Sequence, residues 1–165
     1  MPDLLWDDVQ DLFDPHLTGS LPDVCVPGTT AEDWQAVFHP VRARGWAWTY
    51  AEGGVAGRLP RAAEVLVRQE DAETATLHVS PVPDVLAVFR LFSAGEVGFD
   101  VDLRELRGQR GVDVLCAFLR AIGRRLRKPV LMSPEGDYGN PVLGFDPAVG
   151  RVVLLVDPRS GRELT

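Results

Sequence analysis

The chain has 165 residues, of which 45% are hydrophobic and 25% charged, proportions that fit one folded domain with a substantial core and exclude a disordered chain. Its longest unbroken apolar run, Val114–Leu119, is far short of the roughly 18–20 residues of a membrane span. The net charge of −7 disfavours nucleic acid as a partner.

In chain order, Leu5–Phe13 places Leu5, Trp6, Val9, Leu12 and Phe13 on one helical stripe, and Asp14-Pro15 ends that helix. Leu21–Gly28 is a short strand bounded by prolines, which points to the edge of a sheet. Thr30 is the expected N-cap of a second helix, with Asp33 in capping-box position and Trp34, Val37, Phe38 and Val41 facing the core. Pro40 is expected to kink this helix or draw its last turn away from Ala36, and Gly45 to end it in a left-handed conformation.

Trp46–Tyr50 alternates as a strand, and the glycine-rich Glu52–Gly57 is expected to be a loop. Ala63–Gln69 and Ala75–Ser80 are predicted strands flanking an acidic turn, Glu70–Thr74. Val85–Ser93 and Glu96–Leu103 form a predicted hairpin. In its second strand Val97, Phe99, Val101 and Leu103 point one way, and Gly98, Asp100 and Asp102 the other.

Val112–Arg127 is a predicted amphipathic helix with Leu115, Phe118, Leu119, Ile122 and Leu126 inward. Its C-terminal half gathers Arg120, Arg124, Arg125, Arg127 and Lys128, as the helix dipole favours, and Pro129 ends it. Three short strands close the chain, VLM, VLGF and VVLLV. Between them Pro134–Pro141 and Asp146–Gly150 have turn chemistry, and Asp157–Gly161 starts another turn. Long strand runs with few helices predict a single α+β domain over residues 1–165, with a largely antiparallel sheet packed against two or three helices.

Catalytic and metal signatures are missing. His16, His39 and His78 are isolated, and neither a zinc spacing, a P-loop nor a nucleophile elbow occurs. The pattern therefore predicts no catalytic residue, metal or cofactor. Asp100 and Asp102, roughly 6.5–7 Å apart by strand rise, are the best paired carboxylates. An ion pair with Arg90 is the plainer use of them. Cys25 and Cys116 are expected to be buried reduced thiols. The opening MPDLLWDDVQDLF is acidic where an export signal is basic and then apolar, so a cytoplasmic address is expected.

Charge is unevenly placed. Residues 1–41 hold eight acids and no Lys or Arg, whereas the remainder has 17 basic and 16 acidic residues. The entire net charge belongs to the first quarter of the chain. Clustered aspartates steer association with a cationic partner.

The segments GEVGFDVDLREL, VDVLCAFLRAIGRRLRKPVLM and PVLGFDPAVGRVVLL, within Gly95–Asp157, resemble small actinobacterial α+β proteins of the polymorphic-toxin immunity type. That resemblance implies a stoichiometric inhibitor that masks a basic toxin site and has no catalytic residues. The expected function is a non-enzymatic, immunity- or antitoxin-like domain that binds a basic protein. The candidate contact residues are Asp7, Asp8, Asp11, Asp14, Glu32, Asp33, Asp100, Asp102, Glu135, Asp137 and Tyr138, with Trp6, Trp34, Trp46 and Trp48 as possible aromatic anchors. The alternatives are a small enzyme or ligand-binding protein with a carboxylate-lined pocket among Asp100, Asp102, Glu135, Asp137 and His78, and an oligomeric scaffold.

Overall fold

A computed structural model describes residues 1–67 and 72–157. Among them are five α-helices: α1 (Trp6–Val9), α2 (Pro15–Thr18), α3 (Ala31–Ala43), α4 (Ala62–Leu66) and α5 (Gly108–Leu126). Nine strands accompany them: β1 (Asp23–Pro27), β2 (Ala47–Glu52), β3 (Val55–Gly57), β4 (Ala75–Val82), β5 (Val85–Arg90), β6 (Glu96–Val101), β7 (Val130–Ser133), β8 (Leu143–Asp146) and β9 (Arg151–Leu154). They form one sheet in the order β3-β2-β4-β5-β6-β1-β7-β8-β9, and every described pairing is antiparallel. The expected α+β class with an antiparallel sheet is what the chain adopts.

β1 is an interior strand, not an edge. It pairs with β6 through Val24↔Phe99 and with β7 through Val24↔Met132, joining the β4-β5-β6 meander to the β7-β8-β9 meander. Its prolines mislead because they flank the double pairing. Pro22 precedes the strand, and Pro27 lies beyond the last β7 partner, Leu131 opposite Cys25. Neither removes a donor from the doubly paired segment.

The helices α3 and α5 cover one face of this sheet. Trp34 of α3 meets Phe89 edge-on at 6.3 Å, and Phe118 of α5 meets Phe99 at 5.4 Å. Val24, Val26, Leu77, Phe89, Val97 and Phe99 all turn inward, at most 2% exposed, within one continuous core. The alternate residues Asp23, Cys25, Arg90, Gly98 and Asp100 turn to the face that α3 and α5 leave open, where they are half-buried.

The Thr30–Asp33 capping box forms as expected: Asp33 N–H donates to Thr30 Oγ1 at 3.3 Å and Thr30 N–H to Asp33 Oδ2 at 3.0 Å. Pro40 lies inside α3, and the helix continues to Ala43. Proline has no N–H for the carbonyl four residues earlier. Arg125 of α5 supplies the substitute, its Nε donating to Ala36 O at 3.3 Å. Gly45 follows with φ 71°.

Several boundaries differ from expectation. Asp14-Pro15 ends one helix and also starts another: Asp14 Oδ1 accepts from His16 N–H at 2.9 Å, with Pro15 in the first turn of α2. Leu5–Phe13 is α1 followed by a 3-10 turn, Gln10–Phe13. Glu52–Gly57 is a hairpin, turning at Gly53-Gly54 into β3. The strand predicted over Ala63–Gln69 is the helix α4, because Ala62 and Val65, three apart, both bury against the core beside α3. The end of that prediction, and the start of the Glu70–Thr74 turn, lie outside the described residues, as does most of the Asp157–Gly161 turn. α5 begins at Gly108, four residues earlier than expected.

Candidate functional site

β1, β5 and β6 place a groove of about 300 Å³ on the open face of the sheet. Register builds its acidic wall. Asp23 on β1 is the cross-strand partner of Asp100 on β6, which in turn neighbours Val88 on β5. Arg90 on β5 forms an ion pair with Asp100, as the sequence suggested. Glu96 and Gly98 continue β6 along the same wall, and Phe92 of the β5–β6 loop and Tyr138 of the β7–β8 loop complete the lining.

Each contributor is held by the fold. The indole Nε1 of buried Trp34 donates to Ser93 O at 2.9 Å and to Glu96 O at 3.1 Å. Thr29 N–H donates to Gly95 O at 3.2 Å, and Thr29 Oγ1 to Ala94 O at 2.6 Å. These bonds pin the β5–β6 loop that presents Phe92, which is 71% exposed. The β7–β8 loop carries the two expected turns: Asp137 N–H donates to Pro134 O at 3.0 Å and Asn140 N–H to Asp137 O at 3.3 Å. Asn140 Nδ2 also donates to Asp137 Oδ1 at 2.6 Å. Glu135 ties this loop to the N-terminal segment. Its N–H donates to Thr18 O at 2.8 Å and its Oε2 accepts from Leu21 N–H at 3.2 Å. Gly19 lies directly beneath the Glu135 side chain, where a Cβ would collide with it.

Electrostatics distinguishes the acids of the groove. Burial, then the adjoining Asp100 carboxyl within hydrogen-bond reach and the charge of Glu135, push Asp23 above the ordinary carboxylate value, against the pull of Arg90. The Tyr138 hydroxyl donates a hydrogen bond to Glu96. Burial, the Glu96 bond and contact with Cys25 keep the phenol protonated far above its usual range. Cys25 is half-buried beside this tyrosine, and burial raises its thiol. Cys116 is buried in the core and is pushed up to about 12 by burial. Among the described residues no group of three or more His, Cys, Asp or Glu has metal-binding geometry.

The structure sorts the remaining candidates by place. Asp100 and Tyr138 line the groove, with Glu135 and Asp137 in the loop beside it. Asp102 does not share the groove. It follows the end of β6, caps the 3-10 turn Leu103–Glu105, and binds Arg104 at 2.7 Å, a contact that holds its carboxyl below the usual range despite partial burial. Asp7, Asp8 and Asp11 are exposed on the N-terminal segment, whose α1 packs against α5 on the helical side. Asp14 caps α2, Asp33 caps α3 and lies 4.0 Å from Lys128, and Glu32 is exposed on α3. His78 is an exposed strand residue outside the groove, so of the five residues proposed for an enzymatic pocket only Asp100 lines it. Trp34 is buried, while Trp6, Trp46 and Trp48 pack partly buried against the core. The exposed aromatics are Phe92 and Tyr138.

Asp23, Glu96 and Phe92 are the site residues that the sequence reasoning did not select. The signal for Asp23 was present in the alternation Asp23-Val24-Cys25-Val26, which sends Asp23 and Cys25 to one face. No family model matches the chain, and no curated protein matches it.

Proposed function

We propose that this is a non-enzymatic protein-binding domain of immunity or antitoxin type, acting in the cytoplasm, which receives a basic element of its partner on the open face of the sheet. One observation carries this reading: the groove brings Asp23, Glu96 and Asp100 together against the single cation Arg90, between the exposed rings of Phe92 and Tyr138. An incoming guanidinium or ammonium finds carboxylates to pair with and aromatic surface for its stem. It also relieves the repulsion between Asp23 and Asp100. Free thiols at Cys25 and Cys116 suit a reducing compartment.

Titration of the isotopically labelled protein with a hexa-arginine peptide tests this. Amide shifts at Asp23, Gly98 and Tyr138 are expected, with binding weakened about tenfold or more in an Asp23→Asn/Asp100→Asn variant, as the loss of charged contacts requires. Binding that maps to Asp7–Asp11, or that survives the double substitution unchanged, overturns the assignment.

A second reading, a ligand-binding protein or small enzyme, draws on the Asp23–Asp100 pair, whose raised carboxyl is what acid–base chemistry uses. Saturable binding of a small cation such as guanidine, with no affinity for the peptide, favours it.

A further inference from the structure

A second cavity lies on the helical side of the sheet, away from the acidic groove. It is an open cleft of about 530 Å³, within the roughly 300–1,000 Å³ of small-molecule sites. Its floor is apolar and aromatic: Trp46 and Phe118 meet at 5.0 Å between centroids, with Val114 beside them. Val82 also lines it, at a register irregularity between β4 and β5 that interrupts their ladder from Val79 to Val82. Such bulges re-aim side chains at the margins of sheets.

The rim charges are unequally engaged. Arg110 holds Asp84 through two bonds of 3.0 and 3.1 Å, and Asp113 accepts from Gln109 Nε2 at 2.8 Å. Arg44 has its guanidinium 5.7 Å from the Trp46 ring centroid and no carboxylate partner among the described residues. An open cleft with an apolar floor and, at its rim, a guanidinium that has an aromatic neighbour but no carboxylate complements an amphipathic anion: a body that lies along the floor and a carboxylate that reaches Arg44.

We propose that this cavity is a binding site for a small amphipathic carboxylate, of the size of a medium-chain fatty acid or an aryl acid, with Arg44 as the anion contact. The site is independent of the acidic groove.

Sodium decanoate, kept below its micelle concentration, is titrated into the labelled protein, with octan-1-ol as the uncharged probe. Saturable shifts at Val82, Val114 and Ala117 are expected. Ala117 is an exposed lining residue on α5, so Ala117→Glu obstructs the cleft and leaves the core untouched. It is expected to abolish saturable binding of both probes while the far-ultraviolet spectrum stays unchanged. Arg44→Gln is expected to weaken decanoate about tenfold, the loss of one charge-assisted contact, and to leave octanol unaffected. No saturable shift, or decanoate binding indifferent to Ala117→Glu, overturns the site. Equal decanoate affinity in Arg44→Gln overturns the carboxylate assignment.

Discussion

Two half-buried aspartates near the start of the chain have opposite characters. Asp3 lies against the helical layer. Burial alone would raise its carboxyl, but Val152 N–H at 2.8 Å, Arg120 at 2.8 Å and the charge of Arg151 more than reverse this, and it ionises more readily than a free aspartate. Asp23 lies on the open face, where burial raises its carboxyl and the adjoining Asp100 and Glu135 carboxyls add to the rise, against the pull of Arg90. Partner identity, not depth, decides which acid is a clamp and which is poised for an external charge. The clamp holds the N-terminus to β9 and α5, whereas the carboxyl pair leaves unspent attraction on the surface.

Substitutions that invert this contrast are expected to have graded effects. Asp3→Ala leaves Arg120 and the Val152 N–H without their acceptor, and costs about 2 kcal/mol. For a chain of this length that lowers Tm by about 4–8 °C, measurable by calorimetry at pH 7. Because the folded Asp3 carboxyl lies below the ordinary 3.8, its contribution is present above that pH and is lost as pH falls through the folded value. The deficit of the variant should shrink correspondingly in acid.

Asp23→Asn moves stability the other way. The folded carboxyl lies above 3.8, so the native state binds the proton more tightly than the unfolded chain, and stability declines as pH rises through the folded value. The amide should raise Tm at pH 7 by about 1–3 °C, with the gain vanishing below about pH 3.8. An unchanged or lowered Tm at pH 7 would show that Asp23 is compensated by its surroundings.

Arg90→Gln removes the cation that opposes the rise of Asp23. The Asp23 carboxyl should titrate still higher in a carbon-detected pH series, and hexa-arginine should bind a few-fold more tightly above that range because its competitor is gone. The smallest effect is expected from Asp7→Asn/Asp8→Asn/Asp11→Asn, which alters exposed charges outside the groove. Stability should stay within about 0.5 kcal/mol, and peptide affinity should change by no more than about twofold at 0.15 M salt.

Local chemistry made much of this fold legible. The Thr30–Asp33 box, the Gly45 stop, the alternation of Val97, Phe99 and Val101, and the turns at Pro134–Pro141 depend on residues within a few positions of one another, and each forms. What depended on distant partners was hidden. Nothing near Val24 announces that it is bracketed by Phe99 and Met132, and α4 is helical because α3 offers a surface to Ala62 and Val65. The same divide runs through the site. Asp100 was conspicuous by its strand face, but its true companion is Asp23, brought there by pairing across 77 positions. Asp102, two residues away, is committed to capping and to Arg104. The eight early acids are divided by the fold: Asp14 and Asp33 serve caps, Asp3 a clamp and Asp23 the groove, while Asp7, Asp8, Asp11 and Glu32 are exposed.

The placement of β1 has a consequence for how the chain assembles. The strand made early in synthesis completes its ladders only when segments beginning roughly 70 and 105 residues later have emerged. Until then β1 itself is bare on both margins, and in its absence the β6 and β7 margins of the two meanders stay exposed, edges of the kind that recruit neighbouring chains. A chain lacking its first 30 residues should thus yield intermolecular β-aggregates on refolding, and a peptide spanning Leu21–Gly28 supplied in trans should suppress them.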